Sequence, residues 1–240
     1  MGLDLGKYAL KELGNVAEII TSATFKSRLE KGDFAYPEMT FIHVPKKYTP
    51  KKMEVEVMVK PPRKEGYVVF AKNNIEDNIY LSCILNSHVA WLYLTNGNLD
   101  SKTSISKKKL GSIPVRLLST ELQVGVVYLY YLIGSIMMLK DKGVDNPILE
   151  FREDIYRELL DGIVLELTMP DLFEEFKIDL FFSWCALMSK CSAENPGITY
   201  DDMQEIIGKE MMDPQSFVTY NMKKLRVVVQ KISEKLVGKV

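Results

Sequence analysis

The chain has 240 residues, 47 % of them apolar and 26 % charged, with a net charge of −1. That composition excludes a disordered or low-complexity protein, and the length admits one large domain or two small ones. The charge is unevenly spread: residues 1–119 carry 18 Lys and Arg against 12 Asp and Glu, a net +6, whereas residues 120–240 carry 13 against 20, a net −7. A basic half followed by an acidic half points to two domains, 1–119 and 120–240, of which the first suits a polyanion such as DNA or RNA.

The first domain reads as strand and loop over residues 1–72. Val16 to Ile20 and Phe41 to Val44 are short apolar strands, and Glu54 to Val59 alternates charged and apolar residues as a half-wet strand does. Tyr67 to Ala71 is apolar enough to lie centrally in a sheet. From Asn78 to Leu94 the apolar spacing turns helical, with Asp77 or Asn78 as cap, and Thr95-Asn96-Gly97-Asn98 ends it in turn chemistry. Ser104 to Leu110 reads as a loop entering one helical turn capped by Ser106. Ile113 to Leu117 returns as an edge strand, since Pro114 has no N–H for a ladder.

Beyond Ser119 the periodicity is helical over 121–141, 148–168, 171–191, 201–212 and 214–237, punctuated by Asn146-Pro147, Met169-Pro170, Asn195-Pro196-Gly197 and Asp213-Pro214. Thr199 and Asp202 are spaced as a capping pair. Leu122 to Leu139 is free of charge over 18 residues, the lower edge of membrane-spanning length. Its Gln, Gly, Ser and Tyr content favours a buried bundle helix, and no membrane role is expected. The expected fold is therefore α+β: a small mixed domain followed by an all-helical region. In the last helix Leu225, Val228, Val229, Ile232 and Leu236 form a stripe, and Val227 to Leu236 is its expected partner-facing part.

Catalytic patterns are missing. His43 and His88 are the only histidines, and neither stands in a metal-ligand spacing. Pro170-Asp171 with Glu174-Glu175-Phe176-Lys177 imitates a nuclease motif, but the spacing is too tight and reads as acidic helix surface. Cys83, Cys185 and Cys191 fit neither a zinc site nor a disulfide framework. No catalytic residue, cofactor or metal is expected. The first residues, Met1-Gly2-Leu3-Asp4, open no apolar signal region, so a reducing cytoplasm is the expected setting.

The basic residues of the first half cluster in loops: Lys26 and Arg28, Lys46 and Lys47, Lys51 and Lys52, Arg63 and Lys64, then Lys102 and Lys107 to Lys109. Such loops follow a phosphate backbone, while Arg28, Arg63, Asn73 and Asn74 are the types that read bases. The expected DNA contacts are Lys26, Arg28, Lys46, Lys47, Lys51, Lys52, Arg63, Lys64, Asn73, Asn74, Lys107 and Lys108.

Three stretches in order add a family resemblance over residues 11–118. Leu13-Gly14-Asn15-Val16-Ala17-Glu18-Ile19-Ile20-Thr21-Ser22-Ala23-Thr24 resembles the opening of target-recognition domains in type I restriction enzyme specificity subunits. Leu81 to Ser87 is similar to the family's leucine-leucine-asparagine-serine helix, and Ser104 to Val115 to its isoleucine-serine-lysine to isoleucine-proline close. Ser22 stands where the family commonly has Gly, the domain is short, only one is present, and no long coiled-coil spacer follows. Asp161 to Leu167 with Pro170 and Glu174-Glu175 is similar to a valine-x-glutamate-leucine helix near the C-termini of single-chain restriction–modification methylases. The resemblance implies a non-catalytic specificity subunit or fragment. It would bind duplex DNA through basic loops and a methyltransferase or restriction subunit through its helices, with a homodimer as a further option. The alternative expectation is an interaction or regulatory module that keeps the fold without binding DNA.

Overall fold

A computed structural model describes residues 4–33, 40–48, 55–58, 62–71, 78–95, 103–144 and 146–237. The fold is α+β. The described residues form two compact units, one within 8–120 and one within 121–238 that also takes in Asp4 to Lys7.

In the first unit the chain runs through β1 (Leu10–Glu12), α1 (Leu13–Val16), β2 (Ala17–Thr21), α2 (Ser22–Glu30), β3 (Phe41–Pro45), β4 (Lys47–Tyr48), β5 (Glu56–Met58) and β6 (Gly66–Ala71). It continues through α3 (Asn78–Leu85), α4 (His88–Thr95), β7 (Thr103–Ser104), α5 (Lys107–Gly111) and β8 (Pro114–Arg116). Four strands make an antiparallel sheet in the order β2-β6-β3-β5, while β1 pairs with β8 and β4 with β7 as separate ribbons. The edge strand expected at 113–117 thus joins β1, not the main sheet.

The strand period of two explains the core. The register places Ile20 opposite Val68, and Ile20, Phe41, Val68 and Phe70 share a face on which Phe25 of α2 packs. The Phe25 and Phe41 rings lie 4.7 Å apart, a close aromatic pair. Ile19, Ile42 and Val69 occupy the alternate positions and are equally buried, so both faces of the sheet are covered.

The structure corrects further expected elements of this unit. Residues 22–30 form α2, where strand and loop were expected; Phe25 and Leu29 are its only large apolar residues, too few for a visible period, and the helix starts because Thr21 Oγ1 accepts the Thr24 N–H at 3.1 Å. The single helix expected over 78–94 is broken at Asn86-Ser87. The Asn86 amide accepts the Val55 N–H at 3.2 Å and donates to the Val55 carbonyl at 3.0 Å, which pulls it out of the helix. Ser87 then restarts α4 by accepting the Ala90 N–H. Asn86→Ala is expected to lower stability by about 1–3 kcal/mol, because it strands both polar groups of Val55 in a part-buried site; urea unfolding followed by circular dichroism measures it.

The second unit contains α6 (Thr120–Asp141), α7 (Pro147–Thr168), α8 (Pro170–Glu175), α9 (Leu180–Glu194), α10 (Tyr200–Met212) and α11 (Phe217–Val237). Asn146 caps α7 with Pro147 behind it, and Thr199 caps α10 by accepting the Asp202 N–H. The helix expected over 171–191 is two helices. Lys177 turns left-handed at φ 53°, and the Ile178 N–H closes back on the Phe173 carbonyl at 2.8 Å, a helix stop that non-glycine residues seldom make. Helix α6 is long and apolar enough to span a membrane by length and composition, the one such helix among the described residues. Its Val126, Leu129, Leu132, Ile133 and Ile136 are buried, while Val124, Tyr131, Met137 and Met138 are exposed, so it is covered on one side rather than all round. In α11, Val218, Met222, Leu225 and Ile232 are buried, whereas Val227 is 80 % exposed.

The start of α9 is bonded by side chains of two other helices. Leu180 and Phe181 N–H donate to Glu166 Oε2 of α7 at 3.0 and 2.8 Å. Asn221 of α11 accepts the Asp179 N–H and donates to the Asp179 carbonyl and to Ser183 Oγ. Close packing brings these helices together: a Cβ on Gly162 would lie 2.6 Å from both Leu180 and Leu225. Burial raises the Glu166 carboxyl from its ordinary 4.5 to about 8, against the two N–H donors that favour its ionised form. An acid raised in the folded state holds a proton that the unfolded chain has lost. Stability therefore falls as pH climbs from about 4.5 to about 8. Thermal unfolding at pH 5 and pH 8 is expected to show that fall, and Glu166→Gln, which keeps an acceptor oxygen, is expected to flatten it.

Candidate nucleic-acid interface

The two ends of the first unit fold onto each other. The Leu13 N–H donates to the Ile113 carbonyl at 2.8 Å, and a Cβ on Gly14 would meet the Gly111 carbonyl at 3.4 Å, so α1 and α5 touch through glycine backbone. Leu13, Ile105, Leu110, Ile113 and Val115 are all buried. The residues of the first and last resemblance segments are thus the scaffold of one local structure. The turn at α5 forms as expected, with Ser106 Oγ accepting the Lys109 N–H at 3.2 Å.

Beside this junction lies an open cleft of about 680 Å³. Gly14, Asn15 and Gly111 line it, Lys107 and Lys108 stand exposed on it, and Glu12 and Glu18 share its wall. Lys109 is turned away, its ammonium donating to the Leu94 carbonyl at 3.3 Å. Asn15 and the two glutamates are cleft residues that the basic-loop reading missed. They stand in or beside the Leu13–Ile20 segment, the signal that could have pointed to them.

A second group of basic segments is joined by backbone pairing. Pro45 pairs with Gly66, Lys47 with Ser104, and the Ile105 N–H donates to the Lys46 carbonyl at 3.1 Å. Segments 45–48, 63–66 and 103–106 therefore adjoin. Lys46 is exposed, 3.6 Å from the exposed Glu65, and Arg63 and Lys64 are exposed in the bend before β6. Lys47 lies in β4. Lys26 is exposed on α2, but Arg28 is held by Glu18 at 2.7 Å and by Asp33 at 3.6 Å, which neutralises its guanidinium and orients it along the protein's own surface. Lys51, Lys52, Lys102, Asn73 and Asn74 lie outside the described residues. The structure thus joins Lys46, Arg63 and Lys64 to the segment leading into Lys107 and Lys108, and sets Arg28 against carboxylates.

The other sequence features find scaffold places. His43 is buried in β3, and His88 sits at the start of α4 with its ring 5.2 Å from that of Trp91. Asp171, Glu174 and Glu175 are exposed on α8, the acidic helix surface expected there. Cys83 and Cys191 are buried and Cys185 half-buried, all three as free thiols. Burial pushes the Cys185 thiol up to about 12. Among the described residues no group of three His, Cys, Asp or Glu is placed to hold a metal ion.

No protein-family model, no curated protein and no solved structure matches the chain.

Replacing Arg28 by Met removes two partly exposed ion pairs, so the expected stability change is below about 1 kcal/mol for each. Ser106→Ala, which deletes the α5 cap, is expected to cost about 1 kcal/mol. Parallel thermal melts of the two variants measure both changes.

Proposed function

We propose that the chain is a non-catalytic DNA-recognition subunit, or a fragment of one, in a cytoplasmic restriction–modification system. It binds duplex DNA through the basic loops of its first unit. Its helical unit binds a methyltransferase or restriction subunit. The observation that supports this best is the junction of α1 and α5: the two segments that resemble the opening and close of a target-recognition domain fold together and present Lys107 and Lys108 on an open cleft. Lys46, Arg63 and Lys64, on adjoining segments, extend the positive surface that a phosphate backbone requires.

A second reading, an interaction module that does not bind DNA, is favoured by Glu12 and Glu18 on the same cleft and by the ion pairs of Arg28. Fluorescence anisotropy of a labelled random-sequence duplex at two salt concentrations separates the two. Under the DNA reading, affinity drops steeply with salt. The exposed pairs Lys107→Ala with Lys108→Ala, and Arg63→Ala with Lys64→Ala, each lower the log–log salt slope by about one for every phosphate that the removed charges had neutralised. Absence of binding at low salt, alone and with the cognate methyltransferase, sinks the DNA reading and leaves the interaction module.

A further inference from the structure

The helical unit has an open feature that DNA binding leaves unused. A cleft of about 850 Å³ lies between α9 and the first turns of α11, with Glu210 of α10 and the turn at 213–216 beside it. Three aromatic rings stand in its walls with much of their surface exposed: Phe182 at 41 %, Phe217 at 79 % and Tyr220 at 52 %. Leu187 and Val218, both buried, form its apolar base. Phe182, Ala186 and Lys190 recur every four residues on α9, and Phe217, Tyr220 and Lys224 at three and four on α11, so each wall is a single helix face. Asn221 ties the walls together through Asp179 and Ser183, which sets the spacing of the groove.

The cleft's charged residues gather at its two ends, Lys177 and Lys224 with Asp179 at one and Glu210 and Asp213 with Lys190 at the other. Lys224 donates to the Lys177 carbonyl at 2.8 Å and stands over the Tyr220 ring at 4.6 Å, which gathers two ammonium-bearing residues at the end where α9 begins. At the other end Lys190 is 3.6 Å from Glu210, and the Asp213 carboxylate accepts the Gln215 N–H. Between residues 179 and 190 a helix rises about 16 Å, the length of roughly three turns.

We infer that this cleft docks an amphipathic α-helix of a partner protein, about three turns long. Its apolar stripe covers Phe182, Phe217 and Tyr220, and its carboxylates lie over Lys177 and Lys224. A single-stranded nucleic acid, the other ligand that aromatic rings and lysines accommodate, fits less well: Asp179, Glu210 and Asp213 line the cleft too and meet phosphate with repulsion. The inference deepens the partner-binding half of the proposed function and rests on that half alone.

The test contains no DNA duplex, so its failure leaves the duplex titration to decide the DNA reading separately. Three labelled probes are titrated with the full chain: a helix-forming peptide with a leucine stripe and glutamate flanks, its lysine-flanked counterpart, and single-stranded oligothymidine. The glutamate peptide is expected to bind best. Phe217→Ser weakens it roughly ten- to a hundredfold, the loss expected for one buried aromatic ring, and Lys224→Glu moves the preference to the lysine peptide. Both positions are at least partly open to solvent, and unchanged melting temperatures check that the variants fold. Failure of both peptides to bind, equal binding of the two, indifference to Phe217→Ser, or tighter binding of oligothymidine overturns the inference. So does a dimer in sedimentation that Phe217→Ser dissociates, since the occupant is then a second copy.

Discussion

The helical unit depends on how the first turn of α9 is satisfied. A helix start leaves its first N–H groups without intrahelical partners, and inside a protein each such orphan is costly. Asp179 precedes α9 but makes no side-chain cap. The acceptors come from other helices: Glu166 of α7 takes two N–H groups, and Asn221 of α11 takes that of Asp179. One requirement of local chemistry thereby locks three helices at one point, and the apolar packing around Gly162 completes the lock. This gives the glutamate of the Val164-Leu165-Glu166-Leu167 segment a physical reason to exist. It is a cap supplied from a neighbouring helix.

The same economy of backbone bonds shapes the first unit. Tyr80 Oη donates to the Arg116 carbonyl at 2.7 Å, and Arg116 donates to the Tyr8 carbonyl at 2.6 Å, so residues from the two ends of the unit are linked through Arg116. Asn78 joins β6 to the start of β3, accepting from the Ala71 N–H and donating to the Thr40 carbonyl. Asn86 captures Val55 in the same manner. Polar side chains thus fasten the helices to the strands around the apolar sheet, and the loops that leave this frame are free to vary in sequence without disturbing it.

The two units differ in charge. The net charge of the whole chain is close to zero, yet its first half is positive and its second half negative. In the first unit the exposed lysines of α5 share their cleft with Glu12 and Glu18, which moderates the local field and places weight on the adjoining segments at 46 and 63–64. In the second unit Lys177 and Lys224 stand with Asp179 at one end of the aromatic cleft, and Lys190 with Glu210 and Asp213 at the other.

Much of the frame was legible in the sequence because it rests on local patterns. Apolar runs set strands β2, β3 and β6, alternation set β5, proline and asparagine set most helix ends, and Ser106 and Thr199 declared their caps. The helix α2 stayed hidden because only Phe25 and Leu29 mark its buried side. The breaks at Asn86 and Lys177 stayed hidden because apolar spacing runs on through both. The basic residues were visible as a set, but their availability was not: Arg28 looks like a DNA contact in sequence and is held by Glu18 and Asp33 in space. Composition and periodicity by themselves determined the α+β class, the change to helix near residue 120 and the set of basic loops, since these depend on residues close together along the chain. Only the tertiary structure decided which lysines adjoin, that Glu166 serves α9, and that Phe182, Phe217 and Tyr220 line one cleft, since each of these depends on a bond or packing between residues far apart in sequence.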